Sequence, residues 1–509
     1  MSRSWRVVAL TLAALLLGGA GQAAPPKGAK PGHKKHKPPP FAPPPAPLAP
    51  PPVTLRSPPL AIETFSMDNG LRVVLCPQPG AATVSLTLAY DAGSQREARG
   101  ASGLANLLRH SAGLGSANLL RGEHEKHLSG RGGRAWSELS TERVAFVSEL
   151  PPGELALGLW LEADRLKSLQ LSPDGVQAQR ERLLLELQRR AANPLLAGEE
   201  QLRALVFQST WPYEHGPAGN PLDLAALRPE FTQPFRDAFY TASNAVLVLV
   251  GPLEPETTRQ LVHRFFETAR RQDRPPPPSI SVAEQTSQRS AHQEATGMPS
   301  PTLLFGWATP GGRTDDAIAF EAAFHVLARQ RLPARLQHER PLAGAIDAAI
   351  EEQRTSALAR LRISLLDPSA QPAVEKALDA EIEALLSRGP SDAELSLFRQ
   401  HTEAQLWQLH HEPSRLSVRL ADMELLYGDG KLLHRELPRA EALTREQVRA
   451  AAARYLPQAR RSYVFVGSTT ATAAPAPRPA PLPTLQGPTR PHHPPPPRPP
   501  RRPKPKPHR

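Results

Sequence analysis

The sequence predicts a mixed α and β fold made of two similar halves, and three observations carry that prediction. First, the middle of this 509-residue chain mixes stretches of strand period with stretches of helix period. Second, the two halves end alike. The first closes with Leu227-Arg-Pro-Glu-Phe, Phe239-Tyr240 and Asn244-Ala-Val-Leu-Val-Leu-Val-Gly251. The second closes with Leu443-Thr-Arg-Glu-Gln-Val, Arg454-Tyr455 and Arg461-Ser-Tyr-Val-Phe-Val-Gly467. Each is a short helix, an aromatic, a turn and an apolar strand ending in glycine; a repeat this long means a duplicated domain and not a solenoid. Third, Arg274-Pro-Pro-Pro-Pro-Ser279 breaks the chain near its middle.

Taken in order, residues 1–23 have the layout of a secretory signal peptide. Arg3 and Arg6 precede the apolar run Val7 to Leu17, small residues follow, and cleavage after Ala23 fits. The run is short of the roughly 20 residues a membrane span needs. Residues 24–60 form a Pro/Lys-rich tract, expected to be an extended, disordered linker. Residues 61–272 are the first domain. There Leu71–Cys76 and Glu142–Ser148 read as strands, Thr83–Tyr90 alternates as a half-buried strand, and Val246–Val250 is strand-like. Gly153–Leu169 and Gly175–Ala192 have helical spacing. Residues 273–298 read as a linker and 299–468 as the second domain, with a helical stretch at Asp316–Ala334 and an alternating strand at Ala357–Leu365. Residues 469–509 are a Pro/Arg-rich basic tail, expected to be disordered.

Proline (59 residues) is about twice its usual share of about 5%, and most of it lies in the two flanks. The flanks also explain the net charge of +12: neither holds an acid, and without them the body is mildly acidic. That excludes a basic nucleic-acid-binding domain, so no specific nucleic acid is expected as a partner. The lone Cys76 excludes an internal disulfide and reads as a small buried hydrophobe in its strand.

One stretch carries the question of chemistry. In an H-x-x-E-H helix, two histidines one turn apart bind zinc and the glutamate activates water. Asn106-Leu-Leu-Arg109-His110 keeps the second histidine only, with Asn106 at the first and Arg109 at the glutamate. Around it, in order, stand Leu88-Ala-Tyr-Asp-Ala-Gly93-Ser94, Glu97, Gly115-Ser116, Gly132-Gly133, Ser140-Thr-Glu-Arg-Val-Ala-Phe146, Asn193-Pro194, Trp211-Pro-Tyr213 and Gly216-Pro-Ala-Gly219. In this order and spacing the chain resembles the insulinase/pitrilysin-like zinc metallopeptidases, in the short two-domain form of mitochondrial processing peptidase subunits. The resemblance implies an α+β fold of two similar domains, each an antiparallel sheet packed against helices. It also implies paired domains around a peptide chamber, and dimers in which one partner is often catalytically dead.

The resemblance further places the third zinc ligand at Glu186 and a supporting acid at Gln179, which carries no charge. His110 and Glu186 are then possible remnants of a metal site, with Asn106 at the lost ligand position. Arg109 cannot act as a base, because a guanidinium stays protonated, and its fixed charge repels a dication. Two pairings are open for Glu186: a bridge from Arg109, or pairing along its own helix with Arg182 or Arg190. Glu123-His-Glu-Lys-His127 reads as a solvated helix face. The family's substrate-holding arginine falls at Arg335 or Arg340, and Gly344 falls near its tyrosine.

The resulting expectation is an exported, periplasmic or extracellular, non-catalytic insulinase-like homologue. It would pair with an active family subunit, or with itself, around a peptide or unfolded polypeptide. No cofactor is expected; zinc is expected only if the site still functions. Two alternatives are a weak or altered zinc metalloendopeptidase, and an envelope-binding scaffold whose basic tails hold an anionic polymer.

Overall fold

A computed structural model describes residues 59–468 apart from Gly297 and Pro299. The signal segment, most of the first tract and the basic tail lie outside the described residues, and with them the expected tail-borne contacts. The described chain falls in one compact unit built on two sheets.

The first sheet holds β1 Glu63–Ser66, β2 Arg72–Pro77, β3 Val84–Tyr90, β4 Arg134–Leu139, β5 Val144–Leu150 and β6 Ala245–Gly251, in the order β1-β2-β6-β3-β5-β4. The second holds β7 Arg289–Gln293, β8 Thr302–Pro310, β9 Ala343–Glu351, β10 Ser356–Leu365 and β11 Ser462–Val466, in the order β7-β11-β8-β10-β9. The expected antiparallel sheets need one correction each, because β2–β6 and β7–β11 pair in parallel. Both pairs join strands far apart in the chain, so helices fill the crossover that parallel pairing needs. A second correction follows: β7 lies inside the segment read as linker. Its sequence, Arg-Ser-Ala-His-Gln, has little apolar alternation, and backbone pairing with β11 makes it an edge strand.

The first half supplies helices α1 Leu104–Ser111, α2 Glu123–Ser129, α3 Leu155–Ser168, α4 Pro173–Ala191, α5 Pro194–Val206, α6 Trp211–Glu214, α7 Pro221–Ala226, α8 Thr232–Phe239 and α9 Pro255–Phe266. The second supplies α10 Asp315–His325, α11 Gln371–Arg388, α12 Asp392–His410, α13 Pro413–Tyr427, α14 Glu436–Ala442 and α15 Arg445–Tyr455. The helical spacing read through Ala334 is α-helical only to His325. It continues in π-helical turns at Val326–Arg331 and Ala334–Glu339, on either side of Pro333, which has no N–H to close an α turn. Ser391 with Glu394 and Thr444 with Gln447 form capping boxes that start α12 and α15.

Each sheet has one face on helices of its own half and the other on a helix borrowed from the opposite half. Leu416, Leu420, Ala421 and Leu425 of α13 cover β2, β3 and β6. Leu202 and Val206 of α5 cover β8, β10 and β11. This corrects the reading of β3 as half-buried, since all seven of its residues are buried. Its polar positions Ser85 and Thr87 meet Ser417 Oγ of α13 at 2.9 and 2.7 Å, so the alternating face is satisfied without water. Glycine allows the reciprocal contact: a Cβ on Gly198 of α5 would sit 2.6 Å from Val466 Cγ2.

Candidate functional site

The site begins at the start of α1. Gly103 takes a left-handed conformation (φ +100°) to turn the chain into the helix. The buried Glu97 accepts from the backbone N–H groups of Gly103 (3.0 Å) and Ala105 (2.8 Å), as an acid should at a helix N-terminus. His215 braces Glu97. Its Nε2 lies 3.1 Å from both Glu97 Oε2 and Ser94 O, and its Nδ1 lies 2.7 Å from Trp211 O. All three partners are acceptors, so both ring nitrogens donate and the ring is an imidazolium. Burial alone would disfavour that charge, but the hydrogen bond and charge of Glu97 prevail and raise the His215 pKa. The loop Gly216–Gly219 then packs on α1. A Cβ on Gly219 would meet Gly103 Cα at 2.3 Å, so glycine is needed there, and the approach brings Ala218 O to 2.9 Å from Asn106 Nδ2.

Asn106 and His110 sit one turn apart on α1, and Arg109 closes over both. Its Nε and Nη2 donate to Asn106 Oδ1 at 3.2 and 2.8 Å. Its Nη1 reaches Ser137 of β4, at 2.9 Å to Oγ and 3.5 Å to the carbonyl. Its Nη2 also lies 2.7 Å from His110 Nε2. Guanidinium only donates, so His110 Nε2 accepts and the neutral ring carries its proton on Nδ1. Burial, and then the Arg109 charge, push the His110 pKa down to about 4, with Glu186 opposing. With these contacts all five N–H groups of Arg109 have partners inside the protein.

Glu186 stands apart. It is exposed on α4, which packs along α1, and it makes neither of the pairings that its sequence suggested. No hydrogen bond or ion pair joins it to Arg109, Arg182 or Arg190 among the described residues. It acts on Arg109 through its charge alone: burial lowers the arginine's pKa, and Glu186 and then Tyr240 oppose that. Gln179 is buried on the α4 face that carries Val176, Leu183 and Leu187. Arg335 pairs with Glu339 on its own helical segment, and Gly344 lies in β9.

The Glu123–His127 reading needs correction. The segment is helical, but His124 turns inward, 3.3 Å from Glu162 and 2.9 Å from Arg165, and only 12% of its side chain is exposed. Burial, with the Arg165 charge, lowers its pKa. Its partners lie on α3, beyond the reach of local periodicity. Ser137, Ala218 and the Glu97–His215 pair were likewise not singled out as site residues. Only Gly216 and Gly219 hint at them, by marking a loop that must approach another backbone.

Comparison with known proteins fits this geometry. Residues 72–214 match the family described as insulinase (peptidase family M16), and residues 230–400 match the peptidase M16 inactive domain. The chain belongs to the insulinase (peptidase M16) family. It is 25% identical over 271 residues to the zinc protease PqqE of Helicobacter pylori, a match covering 52% of this chain and 60% of that protein. It is 25% identical over 260 residues to cytochrome b-c1 complex subunit 1 of Bos taurus, covering 50% and 53%. The chain thus spans little more than half the length of these relatives. Among solved structures, a protease from Helicobacter pylori superposes with TM-score 0.76 at 21% identity, over 80% of this chain and all of that one. The first half of the periplasmic protease PqqL of Escherichia coli gives 0.67 at 16%, over 79% and 91%.

The zinc that such relatives imply does not fit the residues present. His110 Nε2, the lone pair a metal would need, is taken by Arg109. Asn106 Oδ1 is taken by the same guanidinium, whose fixed positive charge opposes a dication. Among the described residues no three His, Cys, Asp or Glu side chains converge as a metal site.

Proposed function

We propose that this chain is an exported, non-catalytic insulinase-family protein. In this reading it pairs with an active family subunit, or with a second copy of itself, and supplies one wall of a chamber for a peptide or unfolded polypeptide. One observation carries the reading: Arg109 stands where a general base would be needed, and it ties up Asn106, Ser137 and His110. Hydrolysis needs an open metal position and a base, and this arrangement supplies neither. A paired role is supported by the matching inactive-domain family and by the bovine relative, a subunit of the cytochrome b-c1 complex. Export is supported by residues 1–23 and by the likeness to PqqL, described as periplasmic.

The test is a peptidase assay of the purified chain with added zinc and with chelator, followed by the same assay after mixing with an active insulinase-family subunit. The expected result is no chelator-sensitive turnover alone, and co-elution with changed turnover in the mixture. Zinc-dependent turnover by the lone chain would overturn the reading.

A further inference from the structure

The second half has a cavity of its own, away from Arg109. It opens where β8 turns into α10 and holds about 210 Å3. Glu321, Phe324 and His325 of α10 line it, with Phe398 and His401 of α12 and Glu352 just after β9.

The ion pairs around this cavity leave one carboxylate out. Arg313, in the turn before α10, lies 3.1 Å from Glu352 and 2.8 Å from Glu436 of α14. Arg419 of α13 reaches the same two carboxylates, at 3.0 and 2.8 Å. Two guanidiniums therefore answer two carboxylates; of the other arginines lining the cavity, Arg439 pairs with Asp315 at 2.8 Å and Arg329 donates to the Ala348 carbonyl at 3.1 Å. Glu321 is a third carboxylate, and it has no hydrogen bond or ion pair with any described residue. Burial, and then the charge of Glu352, raise its pKa to about 7; Arg313 opposes and Glu436 adds to the rise. The histidines do not answer it either. Their rings lie 4.7 Å apart. Burial pushes the His325 pKa down to about 4 and lowers that of His401, so both are neutral at ordinary pH.

A carboxylate with no direct partner, in a cavity with aromatic walls, can receive a guest cation. A metal ion is the poorer guest, because no three His, Cys, Asp or Glu donors converge among the described residues. We propose that this cavity binds a small organic cation, an ammonium or guanidinium group on a short aliphatic stem, with the charge on Glu321 and the stem against Phe324 and Phe398. The group belongs either to a free amine or to a basic side chain of a peptide.

Titration calorimetry of the full chain tests this with butylguanidinium, the tripeptide Ala-Arg-Ala, and neutral butylurea as control. The expected result is saturable one-to-one binding of butylguanidinium, of the tripeptide or of both, and none of butylurea. Binding of the free cation identifies a small amine as ligand; binding of the tripeptide alone identifies a peptide side chain. The guest requires ionised Glu321, so affinity should rise about tenfold from about pH 6 to about pH 8. Glu321→Gln should weaken binding at least about tenfold. If that variant fails to fold, the pH series on the unaltered chain decides. Equal binding of butylurea, an affinity that ignores pH, or no binding of either cation would overturn the proposal.

Discussion

Arg109 is the residue on which the site turns, and its chemistry makes the sharpest predictions. Replacing it with Met removes the donor from Asn106 Oδ1, Ser137 Oγ and His110 Nε2 at once. Leaving such acceptors half-buried and unmade costs about 2–3 kcal/mol, measurable by urea denaturation. The double change Asn106→His with Arg109→Glu removes the blocking cation, frees His110 Nε2 and restores the missing ligand type. Zinc retained after dialysis by this variant, but not by the unaltered chain, is the expected outcome. A variant that stays zinc-free would show that Arg109 is not what closes the site. The pH dependence follows from His110. Its folded pKa of about 4 lies below the unfolded value of about 6.5, so the unfolded chain binds more protons between them. The stability His110 contributes is full above about pH 6.5 and is lost as pH falls toward about 4. His110→Gln should flatten that part of the profile, read as urea midpoints at the two pH values.

At the scale of elements, the exchanged helices decide how the sheets are buried. α5 lies so close to β11 that Gly198 has no room for a side chain against Val466. Gly198→Val forces α5 away from the second sheet and should cost about 1–3 kcal/mol by overpacking. On the other side, Leu420→Ala empties the contact of α13 with the first sheet and should cost about 2–5 kcal/mol. Because each helix belongs to one half and covers the other, both variants should lower the single unfolding midpoint rather than release one half. Near- and far-ultraviolet circular dichroism would check that, and two separated transitions would contradict it.

The whole molecule is held together by ion pairs that cross between the halves as well as by these helices. Asp91, fully buried after β3, meets Arg354 at 3.1 Å and Arg96 at 3.0 Å. Glu142 accepts from the Arg354 backbone N–H at 2.9 Å and from Tyr213 Oη at 2.8 Å. Arg143 pairs with Asp422 of α13, and Arg72 donates to the Glu424 carbonyl at 2.6 Å. Arg354→Met removes one of these links but leaves Asp91 paired with Arg96, so it should destabilise the whole chain by only about 1–2 kcal/mol in urea denaturation. Such a joint fits the proposed role of a chamber wall.

Local pattern in the sequence was enough for the strands at Val84–Tyr90 and Ser356–Leu365, for helices α3 and α4, and for the repeated closing strand. It was also enough to say that residue 109 cannot serve as a base, because arginine cannot take a proton wherever it is placed. Those properties reside in single residues or in spacings of two to four. The partners of the site were decided by the fold, since Ser137 reaches Arg109 from a distant strand and Ala218 reaches Asn106 from a distant loop. So were the burial of both faces of β3, the inward turn of His124 and the parallel strand pairs. Each depends on a partner far along the chain, and no local period records which distant element will cover a given face.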